Sequence, residues 1–475
     1  MPTPFKAAAV HAAPVFMNKT ATTERVIQYI KEAKEASVEL LVFPETFIPG
    51  YPYFINCYPI YTQSSVLAEY IEQSVEIFGP EINSIQEACR DYGVCIVLGI
   101  SERMSGTHTS FNTQVFIEND GTLLGIHRKL QPTGAEKIIW ANGGGYTLRT
   151  YPSKYGILGG LPCWGNAMNS ARQALIQQGE QIHAGAWPAL SAMVGLEELA
   201  DVQIDAMMKN HALTGQCWVI YASSTVDQCC LDWMETKLGK QELIKSGGGV
   251  SGILHPFNIY LAGPHKGLEQ KLVIGEIDLS QLGIIKVFID SAGHYSRPEV
   301  LQNDINDVPI WPDEKKMTFP IKKAPTLNKN QEGDTAIDAM MKNHALTGQC
   351  WVIYASSTVD QCCLDWMETK LGKQELIKSG GGVSGILHPF NIYLAGPHKG
   401  LEQKLVIGEI DLSQLGIIKV FIDSAGHYSR PEVLQNNIND VPIWPDEKKM
   451  TFPIKKASTS NKNQEGDTAV IAHAD

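Results

Sequence analysis

The stretch Gly159-Gly-Leu-Pro-Cys-Trp-Gly-Asn166 decides how this chain is read. An apolar run from Tyr155 to Leu161 ends at Pro162, and the next residue is Cys163. Asn166 is a residue type suited to capping a helix, and residues 167–178 are compatible with one. The expectation is a tight strand-to-helix turn that sets Cys163 among backbone N–H groups, which favour a thiolate over a thiol. Two upstream stretches end in groups suited to serve that sulfur: Phe43-Pro-Glu45 and His127-Arg-Lys129. Glu45 lies beside Phe43, Phe47 and Tyr53, so a raised pKa and a role as general base or acid are expected. Lys129 offers an ammonium for charge developing on a substrate heteroatom. Taken singly, each has a plainer reading: an inert core thiol, a surface carboxylate at a strand end, a solvated loop lysine.

Outward from this turn the chain alternates strand and helix patterns. Residues 6–11, 40–44, 94–100, 157–161, 182–187, 217–222, 252–254 and 272–277 read as short buried strands. Two more, 114–117 and 123–127, flank Asn119-Asp-Gly121, a strong hairpin signal. Helical spacing marks 23–36, 166–178 and 196–213, and also 65–92 with a break at Gly79-Pro80. Apolar strands mixed with amphipathic helices predict an α/β layered sandwich.

The second organising feature is a repeat. Asp205-Ala-Met-Met-Lys-Asn-His-Ala recurs at Asp338, an offset of 133 residues. Residues 204–336 and 337–469 are identical except at Asp304/Asn437, Pro325/Ser458 and Leu327/Ser460. Solenoid units are shorter, roughly 20–50 residues, and diverge more, so this is a duplicated block rather than a repeat architecture. The expected organisation is a catalytic domain over 1–303, a Pro/Asn/Lys/Asp-rich linker over 304–336, the incomplete second copy over 337–469 and a tail over 470–475. The first copy retains Leu196–Ile204 ahead of Asp205, completing an amphipathic helix, where the second has the poor helix formers of 331–336 instead. The second copy is expected to pack loosely or to swap into another subunit.

Composition narrows the classes. With 44% hydrophobic and 19% charged residues, the chain suits a globular protein with a sizeable core. No run approaches the roughly 18–20 apolar residues of a membrane span, and the first residues show no secretory pattern, so the cytosol is the expected compartment. Ten cysteines in such a chain read as reduced thiols, and none is spaced as a metal-ligand pair. A net charge of −12 argues against nucleic acid.

Together these segments are more specific than any one alone. Residues 43–52 (Phe-Pro-Glu-Thr-Phe-Ile-Pro-Gly-Tyr-Pro), 127–133 (His-Arg-Lys-Leu-Gln-Pro-Thr), 135–137 (Ala-Glu-Lys) and 159–164 carry the pattern. So do the segments 179–188, 212–217 and 293–298. In order and spacing, residues 5–302 resemble the nitrilase branch of the carbon–nitrogen hydrolase superfamily. The resemblance implies a four-layer α-β-β-α sandwich that pairs into homodimers or larger homo-oligomers, with no metal or organic cofactor. It further implies Cys163 as nucleophile, Glu45 as base, Lys129 as electrostatic stabiliser and Glu136 as a second, positioning carboxylate. The activity it implies is hydrolysis of a nitrile to a carboxylic acid and ammonia. The alternatives are hydration that stops at the amide, an amidase with the same residues, or an inactive self-assembling scaffold. Tyr53, Trp164 and Trp187 suggest an aromatic-lined pocket for aryl or arylaliphatic nitriles, with ordinary core packing as their other reading. One position departs from the family: Gly165 stands where Cys-Trp-Glu is usual, which is expected to loosen the turn.

Overall fold

The computed structural model describes residues 4–297, 301–305, 309, 313–314, 333–373, 377–421, 428–430 and 432–438. Most of the expected linker 304–336 and all of the tail 470–475 lie outside the described residues.

Apolar runs too continuous for a half-solvated strand should be buried on both faces, and they are. One sheet has the order β12-β1-β2-β3-β4-β5, built from β1 (Phe5–His11), β2 (Val38–Val42), β3 (Cys95–Arg103), β4 (Ser110–Ile117), β5 (Leu123–Arg128) and β12 (Lys271–Ile277). The other has the order β11-β10-β9-β8-β7-β6, from β6 (Tyr151–Ser153), β7 (Gly156–Pro162), β8 (Ile182–Trp187), β9 (Trp218–Ser223), β10 (Val250–Leu254) and β11 (Tyr260–Lys266). In each sheet three neighbouring strands run parallel and antiparallel strands flank them. Ala7, Ala9, Leu40, Val42 and Phe116 of the first sheet meet Leu158, Ile182, Trp218 and Ile220 of the second, forming the central layer of the core. Alternate residues of the same strands face helices.

Those helices make the outer layers. Over the first sheet, α1 (Lys19–Glu35) buries Val26, Ile30 and Ala33, and α3 (Pro80–Tyr92) buries Ile82 and Ile85. Asn18 starts α1 by accepting from the Ala21 N–H at 3.0 Å, and Gly93 ends α3 in the left-handed region at φ 68°. A separate helix, α2 (Ser64–Gln73), precedes α3. Over the second sheet lie α4 (Asn169–Gln177) and α5 (Leu199–Gly215), with Ala171, Leu175, Ile204, Met207 and Met208 inward. The α-β-β-α order expected of the sequence is the observed one. The strands β6 and β11, and helix α6 (Gln228–Leu238), had no clear periodic signal. No helix among the described residues is long and apolar enough to cross a membrane.

The second copy shows what context adds to sequence. Its strands β14 (Val352–Tyr354), β15 (Val383–Leu387) and β16 (Tyr393–Lys399) repeat the register of their counterparts, Ser384 facing His398 as Ser251 faces His265. The counterpart of β12 does not form a strand. In the first copy β12 pairs with β1 along its length, and Val273 and Ile277 are buried. The second copy has no β1, and residues 404–410 form no strand: Val406 and Ile410, the counterparts of Val273 and Ile277, are only half-buried, and Ile407 is 80% exposed where Ile274 is 37%. The helix Gln361–Leu371 is also loosely held: it buries no residue, whereas its counterpart α6 buries Cys230 and Met234. Contrary to expectation, its first helix, α8 (Gly333–Gly348), begins at Gly333 and packs on α5. A packed neighbour overrides weak local propensity.

Gly99 on β3 explains how the sheet carries the Glu45 turn so closely. A Cβ there would lie 2.1 Å from the Pro44 carbonyl oxygen and 2.7 Å from the Thr46 nitrogen. Gly99→Ala is therefore expected to cost about 1–3 kcal/mol, read as a lower thermal midpoint. It should also lower activity in the protein that remains folded, because the displaced backbone is that of Glu45.

Candidate active site

Three strand ends and one 3-10 turn converge. Cys163 follows β7 and opens a short 3-10 turn, Cys163–Ala167, with φ +48°, a conformation L-residues seldom adopt. Asn166 was expected to cap the helix behind it. It instead donates from Nδ2 to the Leu161 and Cys163 carbonyls at 2.8 and 2.9 Å, pinning the strained turn from both sides, and α4 starts at Asn169. His183 bridges Asn166 to Glu180 at 2.8 and 2.7 Å, and His211 meets the other oxygen of Glu180 at 2.7 Å. This buried chain reaches from α5 to the nucleophile's backbone. Glu180, His211 and Cys217 are close enough together to hold a metal ion, but both Glu180 oxygens are already engaged by the two histidines.

Glu45 follows β2, Lys129 follows β5, and Glu136 sits in the 3-10 turn Gly134–Ile138. The Lys129 ammonium donates to Glu45 Oε1 and Glu136 Oε2, 2.8 Å to each, and all three side chains are buried. The remaining partners are specific. Asn112 Nδ2 donates to Glu45 Oε1 at 2.8 Å, Tyr51 donates to Glu136 Oε1 at 3.0 Å, and the Thr133 N–H donates to Glu136 Oε2 at 2.8 Å. Glu45 Oε2 is buried with no hydrogen-bond partner among the described residues.

Burial raises the Glu45 carboxyl to about 7; Lys129 opposes this shift and Glu136 reinforces it. Burial works against the Lys129 ammonium, yet Glu136 and Glu45 hold its pKa well above the ordinary lysine value. The expectation of a ready-made thiolate fails. Burial, then the charge of Glu45, push the Cys163 thiol well above its usual range, outweighing Lys129 and the Trp164 N–H. A protonated sulfur beside a carboxylate near neutrality needs that carboxylate to take its proton.

Cys163, Trp164, Glu136, Thr133 and Tyr51 line one cavity of about 240 Å³, with Leu190, Met193 and Phe390 on its apolar side. Trp164 is where the sequence reading put it. Tyr53 and Trp187 are not among the lining residues: Tyr53 bonds Ser224 and the Ala189 N–H and packs on Tyr51, while Trp187 stacks edge-on against Trp164 at 6.0 Å. Their rings took the core-packing alternative. Gly165 is buried with φ outside the left-handed region, and a Cβ there would meet only ordinary contacts at 3.7 Å, so the turn does not depend on glycine. The residues to which sequence reasoning gave no role are Asn112, Tyr51 and Thr133, together with Phe390 of the second copy; Asn166 was given a different one. Asn112 leaves a trace, since Ser110, Asn112, Thr113 and Gln114 are polar residues in a wholly buried strand.

Residues 6–286 match the family model for carbon–nitrogen hydrolases. A nitrilase of Pseudomonas syringae pv. syringae (strain B728a) is 33% identical over 310 residues, 65% of this chain and 92% of its own. An aliphatic nitrilase of Rhodococcus rhodochrous is 33% identical over 306 residues, 64% of this chain and 82% of its own. A nitrilase of Paraburkholderia phymatum (strain DSM 17167 / CIP 108236 / LMG 21445 / STM815) is 34% identical over 307 residues, covering 65% and 88%. The chain belongs to the carbon–nitrogen hydrolase family, on its nitrilase branch.

The electrostatics yield a direct expectation. Difference infrared spectra between the protein and Glu45→Gln should show the carboxyl titrating near pH 7 rather than near 4.5. Asn112→Ala removes a donor that favours the charged form, so the midpoint should move up. A wild-type midpoint near 4.5 would contradict the burial argument.

Proposed function

We propose that this enzyme is a nitrilase, hydrolysing a nitrile to a carboxylic acid and ammonia through a covalent bond to Cys163. The observation that carries the assignment is the ammonium of Lys129 shared between Glu45 and Glu136, with Glu136 and the buried Cys163 thiol lining one cavity. Glu45 takes the thiol proton and the sulfur attacks the nitrile carbon. A nitrile has no leaving group at this step, so the developing negative charge on nitrogen must be met by a cation and a proton. Lys129 and the Trp164 N–H supply the positive side, and the proton held by Glu45 passes to nitrogen, giving a thioimidate. Glu45 then removes a proton from water as it adds, ammonia leaves, and a thioester remains. A second water releases the acid and restores the thiol. Glu136 holds Lys129 in register between the two carboxylates.

The wall of Trp164, Leu190, Met193 and Phe390 favours nitriles with a compact apolar body. A cytosolic location and assembly into a homodimer or larger homo-oligomer belong to the same reading; ten free thiols suit a reducing compartment.

Purified protein incubated with a panel of aryl, arylaliphatic and aliphatic nitriles should release ammonia and yield acid by mass. Cys163→Ala should release none. Equal ammonia from both proteins refutes the mechanism, and amide as the sole product refutes the second half of the cycle. Because Glu45 must be ionised to act, kcat/KM should rise with pH through about 7.

A further inference from the structure

Residues 204–305 and 337–438 differ only at Asp304/Asn437, yet they stand differently toward the active site. Tyr428 and Arg430, in the second copy, are buried against it. The Tyr428 hydroxyl donates to Thr133 Oγ1 at 2.8 Å, and Thr133 caps the turn that carries Glu136. The Arg430 guanidinium donates to the Leu130 carbonyl and, at 3.2 Å, to the Gly143 carbonyl. Leu130 follows Lys129, and the Gly143 N–H bonds the Lys129 carbonyl at 2.9 Å. Two side chains of the second copy therefore grip both ends of the loop that holds Lys129 and Glu136. Phe390 adds a wall to the cavity, whereas its counterpart Phe257 is buried between the sheets. The first-copy equivalents Tyr295 and Arg297 are exposed, Tyr295 by 66%.

The two copies also meet as equals. Strand β13 (Leu301–Ile305) pairs antiparallel with β17 (Leu434–Ile438), its own duplicate. Asn303 faces Asn436 at the centre, Leu301 faces Ile438, and Ile305 faces Leu434, so equivalent residues exchange places across an approximate two-fold axis. Helices α5 and α8, again duplicates, pack together nearby. Self-complementary pairing of one surface with itself is the signature of an isologous dimer interface. Here one chain supplies both sides.

We propose that the second copy acts as a built-in partner: residues 337–438 fill the place of a second subunit, and Tyr428 and Arg430 are positioning residues for the Lys129–Glu136 loop. The proposal rests on the catalytic roles given above, and its test separates the two. Because the repeats are identical, paired substitutions in the full chain isolate position from chemistry. Arg430→Ala should lower kcat/KM by about 10- to 100-fold, the cost of a small misplacement of catalytic groups. Arg297→Ala should leave it within about twofold. Tyr428→Phe, which removes one hydroxyl, should have the same direction of effect, and Tyr295→Phe none. Alkylation of Cys163 by iodoacetamide, followed by mass, gives a readout that needs no turnover; its rate should change in Arg430→Ala and not in Arg297→Ala. Equal effects at 297 and 430, or an effect at 297 alone, overturn the proposal. Co-expressing Arg430→Ala with Cys163→Ala should leave activity at the level of Arg430→Ala alone, since the grip acts within one chain. Restored activity would mean that the segment crosses between chains, which also overturns it. If wild type releases no ammonia from any nitrile, the nitrilase reading fails, while the alkylation rates still decide the built-in partner.

Discussion

An ammonium with no access to water, shared between two carboxylates, is the constraint around which the rest is arranged. Each of the three ions loses hydration, at a cost of several kcal/mol per ion, and their mutual attraction offsets this only with close geometry and filled lone pairs. Three of the four carboxylate oxygens are accounted for by Lys129, Asn112, Tyr51 and the Thr133 N–H. The fourth, Glu45 Oε2, is left unengaged in a site whose sulfur still holds its proton. The fold's rigidity follows from that need. Segments that follow two strands of one sheet, β2 and β5, must register against a turn from the other, and the central apolar layer between the sheets fixes the distance between them.

The duplicated block allows a comparison that few chains offer, because the same residues appear twice in different surroundings. Hairpin β15–β16 forms as β10–β11 does, since its partners are local. Residues 271–277 form a strand and residues 404–410 do not, since the first set has β1 beside it. Strand propensity is the ability to fit a pleated surface that someone else provides.

The same division explains what was legible in the sequence. The strands, the two-sided burial and Glu45, Lys129 and Cys163 could be read because each lies in or at the end of a periodic segment. Glu136 came only with the family resemblance, since nothing in Ala135-Glu-Lys137 says which way its side chain turns. Asn112 and Tyr51 matter through partners 67 and 85 residues away, a distance that no local pattern encodes. Asn166 was misjudged because helix capping and elbow pinning ask for the same residue type. The supposed thiolate at Cys163 was misjudged because nearby N–H groups are visible in a turn motif, whereas the depth at which the turn is buried is not.

The asymmetry between the copies bears on how such a chain changes over generations. In the first, strand β12 is indispensable to the sheet while the Tyr295–Arg297 corner faces solvent. In the second, the β12 counterpart faces solvent while the Tyr428–Arg430 corner is enclosed. Drift is therefore free to erode a different half of each duplicate. Descendants would keep complementary remnants, and neither stretch could then be lost without taking with it a part that the other no longer retains.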